Sequence, residues 1–384
     1  MSLQETSLAH SRLSDPRKAF NMVPDVNAHL HTPYSFSAFK SVDQALDLAA
    51  EEGVKVVGIN DFYSTDGYAQ WSAGCAARKL YPMFNIEMIS LNAEDQAAGL
   101  RVNDPNNPGR TYLSGKGLKF PVTLSGTPAS QLAAVKAESN AQVEQMCAKL
   151  NAHLASVKAG FSLDFGRITS ELTQGQVRER HLAKALRLAL EAYAPDADAA
   201  LQLYELVFGA PLKAARDNAA AVENEIRSRL LKSGGAAFVP ESPQAFLPMS
   251  TVCDIITAAG GIPTYPFLAD DAKGNFTDFE GDLQKAADTL RKRGIGSVEF
   301  ITTRNTTAVL ESYASFLEQE GFIVTFGSEH NTPAMEPIRL RTRDNASLSE
   351  KLREINYRGA CAVAAHQNGV RGLEEGDAII RKAI

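Results

Sequence analysis

Apolar residues recur along this chain in two different patterns. Short apolar runs bounded by Gly, Pro or polar residues begin near residues 23, 54 and 82, and they return after residue 249. Between them lie stretches in which apolar residues stand three or four positions apart. The first pattern is typical of buried strands and the second of amphipathic helices. Their alternation predicts an α/β protein built on a parallel sheet or barrel.

The first strand-helix-strand unit is the clearest. Residues 23–28 are predicted to be a strand, and Ser41 followed by Gln44 forms a capping box that marks a helix start. We expect this helix to end at Gly53 and a second strand to occupy 54–59. The same reasoning predicts strands at 82–89, 262–266, 296–301 and 322–326, and helices at 249–259, 282–292 and 307–320.

A long segment interrupts this alternation. Residues 91–128 are rich in Gly, Pro and Asn, which predicts surface loops. Within them Lys116 and Lys119 are candidates to face a phosphate, although solvated lysines are the simpler interpretation. Residues 129–235 are dominated by Ala, Leu, Glu, Lys and Arg at helical spacing, which predicts a helical insertion.

The predicted domain organisation follows from these patterns. The α/β body, a sheet or barrel, is predicted to span 23–340 and to be interrupted by a loop and helical insertion subdomain at 100–245. Residues 1–22 are polar and are expected to form a flexible tail, and 341–384 a C-terminal extension.

Composition limits the classes of protein. The 384 residues are 44% hydrophobic and 22% charged, as in globular proteins, and a net charge of −6 gives no general attraction to nucleic acid or anionic membranes. No apolar run approaches the roughly 18 residues of a membrane span, and the first residues lack a signal peptide, so a cytoplasmic location is expected. The four cysteines are far apart with no Cys-x-x-Cys pair, so His and carboxylates would hold any metal.

Candidate metal ligands lie at the carboxyl ends of predicted strands, where parallel α/β folds place their sites. In an extended segment His29 and His31 point to the same side, about 6.5–7 Å apart at Cα. His-x-His alone is a weak signal, and two hydrogen-bonded histidines are the alternative. Glu87 stands inside an apolar strand, which is costly unless it is paired, protonated or metal-bound. Glu329 and His330 follow the last strand and are the natural distant partners.

Further polar residues are candidates for catalysis. Asp61 ends the second strand, and Arg304 follows another strand end. In the insertion, Arg178 and His181 are about one helical turn apart with Arg180 beside them. That face could take an anion, although such faces are more often simply solvated.

Taken in order, these motifs resemble those of the PHP (polymerase and histidinol phosphatase) family over about residues 23–335. The matching segments are His-x-His-Thr, Val-Gly-Ile-x-Asp, Ile-Glu-Met, Gly-Gly-Ile-Pro, Val-Glu-Phe and Gly-Ser-Glu, and the insertion is similar to that of the PHP nucleotide phosphoesterases. The resemblance implies a distorted (β/α)7 TIM-like barrel and metal-dependent phosphoester hydrolysis with up to three ions, Mn, Zn or Fe.

The chain departs from the family pattern at several ligand positions. Phe62, Tyr265 and Asn331 stand where the family has histidines, and Ser37 stands at another ligand position. His29, His31, Glu87 and Glu329 correspond to the ligands of one family metal position, and His330 could regain a ligand role by a shift of its loop. The resemblance therefore implies a divalent ion, Zn, Mn or Fe, at a single position.

The resulting functional prediction is a metal-dependent phosphoesterase acting on a small phosphorylated metabolite or nucleotide. Asp61, Arg180, His181 and Arg304 are its predicted catalytic residues. The alternative is a degenerate PHP barrel that binds a ligand or partner without turnover. An amidohydrolase-like barrel also begins with His-x-His, but it would need two later histidines at strand ends and a closing Asp, which this sequence lacks.

Overall fold

The computed structural model describes residues 23–384, so the predicted N-terminal tail lies outside it. Its strands are β1 (Asp25–Leu30), β2 (Val54–Phe62), β3 (Tyr81–Leu91), β4 (Arg110–Lys116), β5 (Leu247–Pro248), β6 (Ile262–Phe267), β7 (Ser297–Ile301) and β8 (Ile323–Gly327). Its α-helices are α1 (Val42–Glu51), α2 (Tyr68–Arg78), α3 (Ala93–Ala97), α4 (Gly126–Ser156), α5 (Phe165–Leu172), α6 (Glu179–Tyr193), α7 (Ala197–Phe208), α8 (Ala219–Ile226), α9 (Met249–Ala258), α10 (Leu283–Lys292), α11 (Thr307–Gln319), α12 (Glu350–Gln367) and α13 (Leu373–Ala383).

The strands form a nearly closed barrel in the order β1-β2-β3-β4-β6-β7-β8, with β5 paired to β3 outside this path. All neighbours are parallel except β4, which is antiparallel to β3 and β6. The last strand returns to the first where the His31 amide donates to the Glu329 carbonyl at 2.8 Å. The predicted distorted (β/α)7 barrel with a helical insertion is therefore confirmed.

Helix α12 completes the barrel wall where β8 and β1 do not pair. The Asn356 carboxamide accepts from the Phe326 amide at 2.8 Å and donates to the Val26 carbonyl at 3.0 Å. It thus replaces missing ladder hydrogen bonds between the two strands. Gly359 allows the close approach, because a Cβ there would lie 1.9 Å from the Val324 carbonyl oxygen.

Strand β4 corrects one prediction from the sequence. We expected residues 110–116 to lie in surface loops, but they form a barrel strand, and Lys116 is fully buried. The strand places Ser114 and Lys116 inside the protein, so it carries no apolar run. The Gly and Pro residues on either side of β4 therefore led to the prediction of a loop.

Helices α4 to α8 of the insertion surround an apolar core of their own. Every residue of this core lies between 143 and 239, whereas the main core joins the barrel to its outer helices. A third apolar cluster packs β1, β2 and β3 against α12 and α13. Among the described residues, no helix is both long and apolar enough to cross a membrane.

Candidate metal centre

His29, His31 and Glu87 meet at the carboxyl ends of β1 and β3, and all three are buried. The two histidine Nε2 atoms are 3.2 Å apart, and Glu87 Oε2 lies 3.1 Å from His31 Nε2. One ligand atom from each residue falls within 4.8 Å of the others. Gly327 permits this arrangement, since a Cβ there would lie 2.2 Å from His29 Cβ.

The spacing of these atoms suits one metal ion. Ligands at about 2.1 Å from a tetrahedral ion stand about 3.4 Å from each other, close to the 3.2 Å and 3.1 Å separations found here. Glu87 Oε2 is buried and forms no hydrogen bond among the described residues, since the 3.1 Å approach of His31 Nε2 does not have hydrogen-bond geometry. Burial raises the pKa of Glu87 to about 8. A cation placed between the imidazoles and this carboxylate would satisfy the unpaired oxygen.

Glu299 on β7 orients His29. Its Oε2 lies 2.9 Å from His29 Nδ1 and 2.6 Å from the Lys116 ammonium, and both residues are fully buried. Burial alone would raise the pKa of Glu299, but Lys116 and His29 hold it well below its usual range. The ionised carboxylate accepts a hydrogen bond from Nδ1–H, which places the lone pair of His29 on Nε2. The Asn60 amide nitrogen lies 2.9 Å from this Nε2 and would have to give way to a metal ion.

Asp61 at the end of β2 fixes the segment that carries His31. Its carboxylate accepts from the Thr32 amide at 2.7 Å and from the Ser35 hydroxyl at 2.6 Å, and Ser35 Oγ lies 3.1 Å from His31 Nδ1. Asp61 itself is 4.0 Å from His31 Nδ1. The structure therefore places this predicted catalytic residue behind His31, away from the converging ligand atoms.

The two other predicted ligands, Glu329 and His330, do not join the group formed by His29, His31 and Glu87. Glu329 Oε1 accepts from Arg304 Nη2 at 2.7 Å, and Arg304 lowers the pKa of Glu329 against the effect of burial. His330 Nδ1 lies 2.9 Å from the Ser328 hydroxyl, and Nε2 donates to the Glu336 carbonyl at 2.8 Å. Both nitrogens of His330 are thus engaged by its own loop.

The residues that depart from the family pattern have other partners. The Phe62 ring stacks on His31 at 5.2 Å between centroids, and the Tyr265 hydroxyl donates to Glu280 at 2.7 Å. The Ser37 hydroxyl donates to the His31 carbonyl at 2.8 Å. Asn331 lines the cavity described next. Phe62 therefore covers one face of His31 with an apolar ring.

A cavity of about 490 Å³ opens above Glu87 and reaches the helical insertion. Arg178 and Arg180, at the start of α6, line it together with Arg304. The Arg178 guanidinium lies 4.4 Å from the centre of the Phe62 ring, and that of Arg180 lies 5.7 Å from the Phe36 ring. The insertion thus supplies cationic groups to a cavity lined by Glu87, one of the three candidate metal ligands, whereas His29 and His31 are fully buried and do not line it.

The cations of this cavity differ in their partners. The remaining basic side chains are paired: Arg304 with Glu329, Arg110 with Asp104 and Glu241, and Arg227 and Lys232 with Glu179. Within residues 23–384, by contrast, Arg178 and Arg180 form no ion pair. Burial and the nearby Arg227 lower the pKa of Arg180 to about 10, so it still carries its charge at neutral pH. Arg178 donates to the Ser139 hydroxyl at 3.2 Å and Arg180 to the Asn224 carboxamide oxygen at 3.3 Å. Both guanidinium groups therefore have only neutral hydrogen-bond partners, and their charge is available to an anion.

His181 supports this pair of arginines. Its Nδ1 accepts from the Arg178 amide at 2.9 Å, and its ring packs edge-on against Phe36 at 4.9 Å. Burial lowers the pKa of His181 to about 3, so the ring is neutral. The structure places His181 under the start of α6 and outside the group of metal ligands.

Sequence reasoning missed Glu299 and Lys116 as members of the centre. Glu299 stands between Val298 and Phe300 in a buried strand, the same signal that singled out Glu87. Lys116 carried no such signal, because its strand was not recognised.

Comparison with known proteins supports the fold. No protein-family model matches the chain, and no curated protein matches it. A solved structure from Bifidobacterium adolescentis, assigned as a metal-dependent phosphoesterase, is similar with a TM-score of 0.57 and 14% identity, over 88% of this chain and 96% of that one. An amidohydrolase from Chromobacterium violaceum, solved with sulfate and no metal, is similar with a TM-score of 0.56 and 14% identity, over 92% of this chain and 96% of that one. These likenesses confirm the distorted TIM-like barrel fold.

Proposed function

We propose that this protein is a metal-dependent phosphoesterase of the PHP type with a single-ion site. The observation that carries the proposal is the convergence of His29, His31 and Glu87 below two arginines, Arg178 and Arg180, that have no carboxylate partner. A small phosphorylated metabolite or nucleotide is the substrate class that suits a cavity of about 490 Å³ with such a lining.

The metal would be held by His29 Nε2, His31 Nε2 and Glu87 Oε2. Two imidazoles and a carboxylate suit Zn, and Mn or Fe can also use them. When bound, such an ion acts as a Lewis acid and lowers the pKa of water toward about 7. Glu299 and Ser35 keep the two imidazoles oriented by engaging their Nδ1 atoms.

The arginines would bind the phosphoryl group. Guanidinium groups bind phosphate oxygens through paired N–H donors, and Arg178 and Arg180 are uncompensated in the described structure. Arg304 could add a third contact only by leaving Glu329, to which it is bonded at 2.7 Å. Together these charges would neutralise the leaving oxygen, which one metal ion supports poorly. His181 has a supporting role, since it holds the start of α6.

Metal removal tests the proposal directly. Purified protein should contain about one divalent ion per chain, and a chelator should abolish hydrolysis of phosphomonoesters and nucleotides. Adding back Zn, Mn or Fe should restore activity. Protein that binds none of these ions, or whose phosphatase activity is indifferent to them, would exclude a metal-dependent phosphoesterase.

A binding protein without turnover is the second candidate, and the position of Phe62 favours it. Its ring stacks on His31 where the family pattern has a further ligand, so the centre is reduced. In that case metal and inorganic phosphate would bind, but no phosphoester would be cleaved. Metal-dependent turnover by protein free of contaminating phosphatase would exclude this candidate.

Replacing Arg178 by Met should weaken phosphate binding and leave the metal in place. A hydrogen bond to a charged group contributes about 1.5–3 kcal/mol, so the inhibition constant of inorganic phosphate should rise roughly 10- to 100-fold. Arg187→Met is the matched control, since Arg187 pairs with Glu223 and does not line the cavity. Equal phosphate inhibition of Arg178→Met and wild-type protein would remove Arg178 from the binding site.

A further inference from the structure

Lys116 is a fully buried lysine in the wall of the barrel, and it does not line the cavity. Its ammonium lies 2.6 Å from Glu299 Oε2 and donates to the Ala28 carbonyl at 3.1 Å. The Asn60 carboxamide oxygen stands 3.5 Å away. Lys116 therefore cannot reach a substrate in the cavity, and any functional effect must pass through its neighbours.

Glu299 is the neighbour through which Lys116 can act. One oxygen of this carboxylate, Oε2, is shared between the Lys116 ammonium and His29 Nδ1 at 2.6 and 2.9 Å. The other oxygen accepts from the Ser114 hydroxyl. Both oxygens are thus held in fixed directions, so the carboxylate can only face the Nδ1 side of the His29 ring.

The orientation of His29 decides which of its nitrogens carries the lone pair. With Nδ1–H donated to Glu299, the lone pair is on Nε2, which lies 3.2 Å from His31 Nε2. A free imidazole prefers the opposite tautomer, with the proton on Nε2. The buried ion pair, together with the Asn60 amide nitrogen 2.9 Å from His29 Nε2, therefore selects the ring form that suits a metal ligand.

We propose that Lys116 is a positioning residue of the metal centre. Acting through Glu299, it holds His29 with its proton on Nδ1 and its Nε2 lone pair directed at His31 and Glu87. This inference rests on the proposed function, because it assumes that His29, His31 and Glu87 bind an ion. Strand β4, which the sequence pattern did not predict, thus contributes Lys116 to the support of the site.

A purely structural ion pair is the competing explanation. Such a pair would affect the stability of the barrel, since removal of one partner leaves a buried charge uncompensated. It would leave the His29 tautomer and the metal affinity unchanged. Stability measurements therefore cannot separate the two explanations, whereas metal affinity and tautomer measurements can.

The experiment compares wild-type protein with Lys116→Met, Glu299→Gln, the double variant and the charge-conserving Lys116→Arg. The Zn²⁺ dissociation constant is measured by competition with a chromogenic chelator, and the visible spectrum of bound Co²⁺ reports the ligand geometry. Loss of an outer-shell partner typically weakens metal binding 10- to 100-fold, and we expect a change of about that size in each single variant. The double variant should bind Zn²⁺ about as tightly as the single variant with the lower affinity, because both residues act through one carboxylate. Lys116→Arg should recover part of the affinity.

Nitrogen NMR of the histidines is a second measurement, and it needs no variant of Lys116 or Glu299. Metal-free protein should show His29 with its proton on Nδ1, identified by the signal that His29→Asn removes. A proton on Nε2 would overturn the inference even if the lysine variants fail to fold.

The outcomes distinguish this inference from the proposed function. Wild-type protein that binds no Zn²⁺ overturns both. A different result overturns the role of Lys116 alone. In that result wild-type protein binds Zn²⁺, and the dissociation constants of Lys116→Met and Glu299→Gln lie within twofold of the wild-type value. The buried pair of Arg187 and Glu223 provides the control, because Arg187→Met should lower stability without changing Zn²⁺ affinity.

Discussion

Glu87→Gln is expected to abolish metal binding and phosphoester hydrolysis while leaving the metal-free protein at least as stable as wild type. Glu87 Oε2 is buried without a hydrogen-bond partner, and Glu329 and Glu299 lie near enough to raise its pKa further. With a pKa of about 8 the Glu87 carboxyl is mostly protonated at neutral pH in the metal-free protein, so a neutral amide of the same shape should not lower its stability. The same change removes the anionic ligand that an ion between His29 and His31 would use.

The expected magnitudes make this prediction decisive. Activity should fall by roughly 10²–10³-fold or more, which is the loss caused by removing one strong electrostatic partner of a transition state. Zn²⁺ should raise the melting temperature of wild-type protein, because a ligand that binds only the folded state stabilises it, and should not raise that of the variant. Differential scanning fluorimetry with and without Zn²⁺, together with a phosphatase assay, measures both.

Glu223→Gln is the matched control for this experiment. Glu223 is also buried, but it pairs with Arg187 in the insertion and does not line the cavity. Its replacement should lower stability and keep the response to Zn²⁺. If Glu87→Gln behaved as Glu223→Gln does, Glu87 would be a structural carboxylate and the proposed centre would be wrong.

Gly359→Ala is expected to destabilise the protein, although alanine favours a helix more than glycine does. Propensity alone predicts a gain of about 1 kcal/mol for this change within a helix. A Cβ at Gly359, however, would stand 1.9 Å from the Val324 carbonyl oxygen. That oxygen belongs to the backbone of β8 and cannot rotate away, so α12 must move outward.

The movement would also disturb the seam between β8 and β1. Asn356 lies three residues before Gly359 on α12, and its carboxamide joins the Phe326 amide to the Val26 carbonyl. Overpacking costs about 1–3 kcal/mol, and each lost hydrogen bond costs about 1 kcal/mol. With both Asn356 hydrogen bonds lost and the propensity gain subtracted, we therefore expect a net loss of roughly 2–4 kcal/mol, measured as a lower urea midpoint.

Gly74→Ala separates packing from propensity. Gly74 lies within α2, and a Cβ there would meet the end of the Leu46 side chain at 2.5 Å. Because that side chain can change rotamer, we expect Gly74→Ala to be nearly neutral. Gly359→Ala as stable as wild-type protein would show that the contact between α12 and β8 is looser than described.

Local patterns predicted most of the elements. Buried parallel strands and amphipathic helices produce regular apolar spacing, so β1, β2, β3, β6, β7 and β8 are found within a few residues of their predicted positions. The helix start predicted at Ser41 is confirmed, since its hydroxyl accepts from the Gln44 amide at 3.1 Å. The Gln44 carboxamide, however, accepts from the Lys40 amide at 2.7 Å and does not complete the capping box with Ser41. Strand β4 was missed, because it is antiparallel and carries Ser114 and Lys116 inward.

The sequence by itself determined the α/β class and named His29, His31 and Glu87, because alternation within a strand and a carboxylate among apolar residues are both local features. The barrel itself was implied by the ordered set of motifs that resembles the PHP family. Only the tertiary structure decided what surrounds these three residues. It shows Glu299 and Lys116 behind His29, and it shows Glu329 held by Arg304 and His330 held by its own loop. These pairs join residues that are far apart in the chain, and each side chain had several possible partners. Which partner it meets depends on how the strands close the barrel.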